Sequence, residues 1–165
     1  MTSVAGGHAP NGCFASLELN DDTGGTVTVT TGGTFQNVLH ASLLTAGIAS
    51  KDGSLVATGT TGKIAVPSTK LGIYRFAAFG TLRGANSETV QLRPALAGAA
   101  FATGKGAKVA TRVIAAASAV DQPFAFEGII NVDVAGDVTL QVTTTTSSAA
   151  VIFKRLMLVL SLLEA

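Results

Sequence analysis

The sequence predicts an all-β protein, an antiparallel two-sheet sandwich, and three observations carry that expectation. Thr, Val and Gly dominate short segments in which apolar and polar residues alternate, the period of a half-buried strand. Glycine pairs and Asn/Asp-Gly clusters interrupt these segments at short intervals, as turns between strands require. Helical periodicity is scarce, so little competes with the strand reading.

Residues 1–12 contain Gly6, Gly7, Pro10 and Gly12 and little that packs; they read as an arm that orders only against a partner. The domain proper is expected over 13–165. A first strand spans 13–19, with Cys13, Ala15, Leu17 and Leu19 on one face. Asn20–Gly25 reads as a turn, 26–31 as a half-buried strand around Val27 and Val29, and Gly32-Gly33 as a second turn. Residues 34–44 suit a strand with a bulge, 46–53 a loop, and 55–60 a short strand. Lys63–Val66 is a strand stopped by Pro67, and 68–72 a turn. The next strand, 73–82, is apolar on both faces: Ile73, Ala77 and Phe79 flank Arg75 on one, Tyr74, Phe76, Ala78 and Leu82 lie on the other. Residues 89–96 form a strand in which Pro94 marks an edge or a bulge. A small-residue loop covers 97–106, and 108–120 suits either a helix or a strand. Strands follow at 124–134 and 138–144, joined by a tight turn at Ala135-Gly136-Asp137. The closing segment, Val151–Leu163, places Leu156, Leu158, Leu160 and Leu162 on one face and Met157, Val159, Ser161 and Leu163 on the other. An amphipathic helix is the rival there, but it leaves no polar face. About nine or ten strands without an internal repeat or linker fit a jelly-roll sandwich.

Composition bounds the function. The 165 residues suffice for one domain with its own core. Only 13% are charged, against about 25% in ordinary domains, and mean hydropathy is +0.48. So thin a charged coat implies that much of the surface is covered by other subunits; the alternative is a monomer coated with Thr and Ser. A net charge of +1 offers no field for nucleic acid. The lone cysteine, Cys13, excludes an intrachain disulfide. The start lacks the basic and apolar regions of a secretory signal, and the apolar run from Val151, interrupted by Lys154 and Arg155, is shorter than the roughly 20 residues of a membrane helix. The chain therefore reads as soluble, made in a host cytoplasm, with no membrane partner.

Residues able to do chemistry are few and scattered. His8 and His40 lie in no H-x-H, H-x-x-E or C-x-x-C spacing, so neither a metal site nor a Cys13–His nucleophile pair is marked; a lone strand cysteine is a small buried hydrophobe. Asp21-Asp22 and Asp133 with Asp137 supply oxygen ligands for calcium but not the EF-hand spacing, and aspartates serve turns. Gly104-Lys105-Gly106 departs from the Walker pattern at Ala107. Lys105, Lys108 and Arg112 form a small basic cluster that meets an acidic partner patch or water. No carboxylate pair in a cleft is marked, so no enzyme is expected, and no cofactor or catalytic residue is assigned.

Two stretches resemble the C1q/TNF-like jelly-roll family. The first is Gly62-Lys63-Ile64-Ala65-Val66-Pro67, a turn, then Gly72-Ile73-Tyr74-Arg75-Phe76-Ala77-Ala78. The second is Phe126-Glu127-Gly128-Ile129-Ile130-Asn131-Val132 followed by Ala135-Gly136-Asp137-Val138-Thr139-Leu140-Gln141-Val142. The resemblance covers residues 13–163. It implies a homotrimer packed about its central strands, with Tyr74, Phe76, Leu156, Leu158, Leu160 and Leu162 as trimer interface or core. Similar small jelly rolls in bacteriophages are capsid decoration (cement) proteins or heads of fibres. The expectation is thus a decoration protein on the outer capsid surface of a virion, partnered by itself and by the major capsid protein. The arm, with Thr2, Ser3, Val4, His8, Pro10 and Asn11, is expected to contact the capsid. A receptor-binding head of a tail or head fibre is the alternative; one Tyr and no Trp leave little to grip a sugar.

Overall fold

A computed structural model describes residues 13–38, 45–49, 55–58, 62–84, 88–101, 110–114, 120–146 and 149–165, by backbone path alone at 20–25, 45–49 and 110–114. Twelve strands are described: β1 (Phe14–Val29), β2 (Gln36–Asn37), β3 (Thr45–Ala49), β4 (Val56–Thr58), β5 (Lys63–Val66), β6 (Gly72–Arg83), β7 (Glu88–Leu96), β8 (Ala99–Ala100), β9 (Ala110–Ile114), β10 (Gln122–Val132), β11 (Gly136–Thr144) and β12 (Ala149–Glu164). One 3-10 turn, Ser68–Lys70, bridges β5 and β6.

The strands form two antiparallel sheets. Sheet A has the order β10-β6-β12-β1-β3; sheet B has the order β4-β5-β11-β7-β8, with β2 also on β11 and β9 also on β7. The pairing is nested. β1 pairs with β12, β5 with β11, β6 with β10 and β7 with β9, so the first long strand meets the last and each later one meets the next inward. Folding this nested ribbon over itself sets β12 beside β6 and β11 beside β7. That is a jelly roll.

The core fills the space between the sheets. Leu17, Tyr74, Phe76, Phe153, Leu158 and Leu160 from sheet A meet Ile64, Leu92, Leu140 and Val142 from sheet B, all essentially without solvent contact. Phe76 and Phe126 pack with ring centroids 5.5 Å apart, and Phe124 meets Phe153 edge-on at 6.1 Å, within the favourable range for aromatic pairs. The buried Tyr74 hydroxyl donates to the Lys70 carbonyl, which ties the 3-10 turn to β6. Cys13 lies in this core.

Several expected boundaries are corrected. Asn20–Gly25 does not separate two strands: β1 runs through it, with a register shift between Asn20, opposite Arg155, and Gly25, opposite Phe153. One partner strand holds both halves, so the turn-forming residues are absorbed as an irregularity. Residues 46–49, expected as loop, belong to β3 (Thr45–Ala49) on the edge of sheet A against β1. Within 34–44 only Gln36–Asn37 are described as strand. The ambiguous 108–120 contains β9, where pairing to β7 decides for strand. Pro94, expected at an edge or a bulge, sits inside β7 opposite Leu140 of β11; on the other side β9 pairs up to Leu92 and β8 begins at Ala95, so the missing N–H falls in the gap between them.

Candidate functional site

The arm residues Thr2, Ser3, Val4, His8, Pro10 and Asn11 lie outside the described residues, as do His40, Lys105 and Lys108. So do the side chains of Asp21, Asp22 and Arg112. Asp137 is held by Lys63, whose ammonium donates to it at 2.9 Å, and among the described residues no three His, Cys, Asp or Glu side chains gather as metal ligands. The six residues expected at the trimer interface or core all face the sandwich interior: Tyr74, Phe76, Leu156, Leu158 and Leu160 are buried, and Leu162 packs partly against them. The outward positions of the same strands form the other face of sheet A.

Register puts those positions in rows. Ile129 (β10), Arg75 (β6), Ser161 (β12) and Phe14 (β1) lie side by side; the next row is Glu127, Ala77, Val159 and Ser16, and the next Ala125, Phe79, Met157 and Glu18. The outward face of sheet A thus sets apolar side chains, Ile129, Ala77, Val159, Ala125, Phe79 and Met157, around the charged pair Arg75 and Glu127. Ile129 is 54% exposed, Phe79 43% and, along the same face, Leu163 49%. Hollows of about 420 and 150 Å³ flank Phe79 over Ala77, one toward Ala125 and Glu127 and the other toward Val159 and Ser161. A larger one, about 470 Å³, opens beside Phe79 over Gly80, Leu156 and Phe124, with Glu18 and Arg155 among its lining. The charges in the middle of the face are Arg75 and Glu127, which pair at 2.5 and 3.1 Å.

The outward face of sheet B is the opposite in chemistry. Thr139, Gln141 and Thr143 of β11 point away from the core yet are buried. Gln141 donates to Asn37 and to the Gly98 carbonyl, Arg93 donates to Gln141, and Thr139 donates to Asn37. The Arg93 guanidinium lies 3.8 Å over the Phe35 ring. Every buried polar group in this set has a partner, as burial demands. Over β11, sheet B is thus covered by a polar layer of its own chain, and Val56 at its β4 edge is 54% exposed; sheet A presents apolar side chains to solvent along its central strands.

Sequence reasoning identified both apolar faces of β6 and β12 and left the leucine face open between trimer interface and core; the structure packs it into the core of the single chain. A β-bulge at Lys154 hides the parity: Phe153 lies opposite Leu82 and Arg155 opposite Thr81, so Val151 and Phe153 face inward at odd positions and Leu156, Leu158 and Leu160 at even ones. The adjacent polar pair Lys154-Arg155 is the signal of that switch.

The strand order defines an all-β jelly-roll protein. No protein-family model and no curated protein sequence matches the chain. Among solved structures, the chain is similar to the PRD1 vertex protein P5, with 12% identity and a TM-score of 0.47, over 91% of this chain and 96% of that one. It is also similar to a chain in the structure of infectious bursal disease virus, Gx strain, with 12% identity and a TM-score of 0.39, over 94% of this chain and 37% of that one.

Proposed function

We propose that the chain is a C1q/TNF-like jelly roll that closes into a homotrimer through the outward face of sheet A and decorates the outside of a phage capsid, bridging major capsid subunits. The observation that carries this reading is the contrast between the centres of the two sheets: β11 of sheet B is covered by a satisfied polar layer, while sheet A exposes Phe79, Ile129 and Leu163 around Ala77 and Val159. Monomers rarely leave an apolar face of this kind to water. The thin charged coat and the resemblance over residues 62–78 and 126–142 support the same reading.

The mechanism is mass action. A trimer that binds the assembled shell but not its separate parts stabilises the shell, and three copies of one contact bind with the second and third at high effective concentration. The arm, residues 1–12, supplies the capsid contact and orders on docking.

Light scattering is expected to give about three times the 16.5 kDa chain mass, and Phe79→Glu a folded monomer, because an added charge without a counter-charge on the face opposes covering it. The trimer is expected to co-sediment with empty shells at a saturable stoichiometry, and removal of residues 1–11 to abolish shell binding with the trimer intact. A wild-type monomer overturns the assembly reading. A trimer that ignores shells and binds host cells overturns decoration in favour of a fibre head.

A further inference from the structure

We propose that the Arg75–Glu127 pair is the specificity key of the sheet A face, and that it selects a second copy of this chain as the partner that covers the face. The proposal rests on the assembly reading and names the contact that makes the assembly homotypic.

The geometry of the pair is one-sided. Arg75 Nε and Nη2 both donate to the same oxygen, Oε2 of Glu127, at 3.1 and 2.5 Å. Glu127 Oε1 and Arg75 Nη1 have no partner among the described residues. The side chains are 56% and 59% exposed, so water now serves these atoms and the pair adds little to the stability of a single copy. Its position is what matters. Register sets Arg75 beside Ile129 and Glu127 beside Ala77, with Phe79 in the next row, so any partner that covers the apolar face also strips the water from the pair.

Covering then restricts the occupant. A guanidinium offers five donors and a carboxylate about four acceptor sites; those left open must be met by the covering surface or their desolvation opposes association. A wholly apolar partner leaves both atoms unserved, and a partner of one charge sign serves one and opposes the other. A surface carrying one cation and one anion at the same spacing, set in apolar surroundings, serves both. Another copy of this face is such a surface: Glu127 Oε1 of one copy accepts from Arg75 Nη1 of the next, and repetition around a closed ring satisfies every member. Charge complementarity of this kind sets partner choice more than raw affinity.

Charge exchange tests the proposal. Arg75→Glu and Glu127→Arg, made singly, are expected to keep the wild-type melting temperature of the isolated fold while raising the concentration needed for assembly by about tenfold or more. The double variant Arg75→Glu/Glu127→Arg is expected to recover assembly, because each ring contact is again between opposite charges. When the double variant is mixed with wild type, unfolded and refolded together and examined by native mass spectrometry, oligomers containing both kinds are expected at about a tenth of their statistical share or less, since a mixed ring sets like charges against each other. Mixed oligomers at their statistical share would overturn the proposal and leave the assembly reading standing, for the pair would then act only within its own copy. Wild-type chain that stays monomeric throughout would overturn the assembly reading itself.

Discussion

Gly80 lies opposite Leu156 in the ladder between β6 and β12, one row from the bulge at Lys154. A Cβ built on Gly80 would fall into the Arg155 carbonyl, with the Leu156 Cα 3.0 Å away. The obstacle is main chain in the centre of sheet A, so it cannot swing aside as a side chain does. Ordinarily Gly to Ala in a strand gains a fraction of a kcal/mol from the unfolded state; here overpacking reverses the sign. Gly80→Ala is expected to destabilise by about 1–3 kcal/mol, read as a lower denaturant midpoint at unchanged slope. Glycine in the middle of a long strand pattern is a sequence-level flag for close backbone approach, but which backbone approaches was not legible, because Arg155 is far away along the chain.

At the scale of elements, Glu88 shows how the strands are joined. It opens β7, is 5% exposed, and accepts from the Thr145 hydroxyl at 2.8 Å and the Thr146 N–H at 2.9 Å. One carboxylate thereby pins the link between β11 and β12 to the start of β7. Burial pushes its pKa up, but the hydrogen bonds from Thr145 and Thr146 outweigh this and hold it below the ordinary 4.5. A carboxylate whose native pKa is lowered adds stability above its unfolded pKa and loses it as pH falls through the native one. Wild type is therefore expected to exceed Glu88→Gln in stability at pH 7, by about 1–2 kcal/mol, and the difference to shrink steadily below pH 4.5, measured by urea unfolding across that range. Nothing in the sequence marks Glu88, whose partners are non-local. By contrast β10 and β11 were legible from alternation, because each has one face in the core and the period-2 pattern reports it, while β5 was marked by the stop at Pro67 and β6 by its apolar residues on both faces. β1 was divided because Asn20–Gly25 has turn composition, and local composition is silent about β12 holding both halves. β3 was missed because Ala46, Gly47 and Ala49 are weak strand formers, paired here through β1 alone.

For the whole molecule, the nesting makes β12 the keystone of sheet A. It lies between β6 and β1 and pairs with both along most of its length, so the N-terminal strand finds its place only when the last residues arrive. Phe14 meets Ser161 and Ala15 meets Leu160; contacts of such sequence separation form slowly, on a scale of about milliseconds to seconds. Without β12, β6 and β1 have no common neighbour, and Leu17, Tyr74 and Phe76 lose the cover of Leu158 and Leu160. A chain ending at Ser148 is therefore expected to show no cooperative thermal transition, whereas a chain beginning at Gly12 keeps it, both read by calorimetry. The contrast separates two meanings of an apolar strand. The inward leucines of β12 belong to the core of the single copy; Met157 and Val159, with Phe79 and Ala77 beside them, face outward. A truncated chain that still melts cooperatively would place the keystone elsewhere, in β11 and sheet B, and would leave the outward face of β12 without a folded frame to hold it.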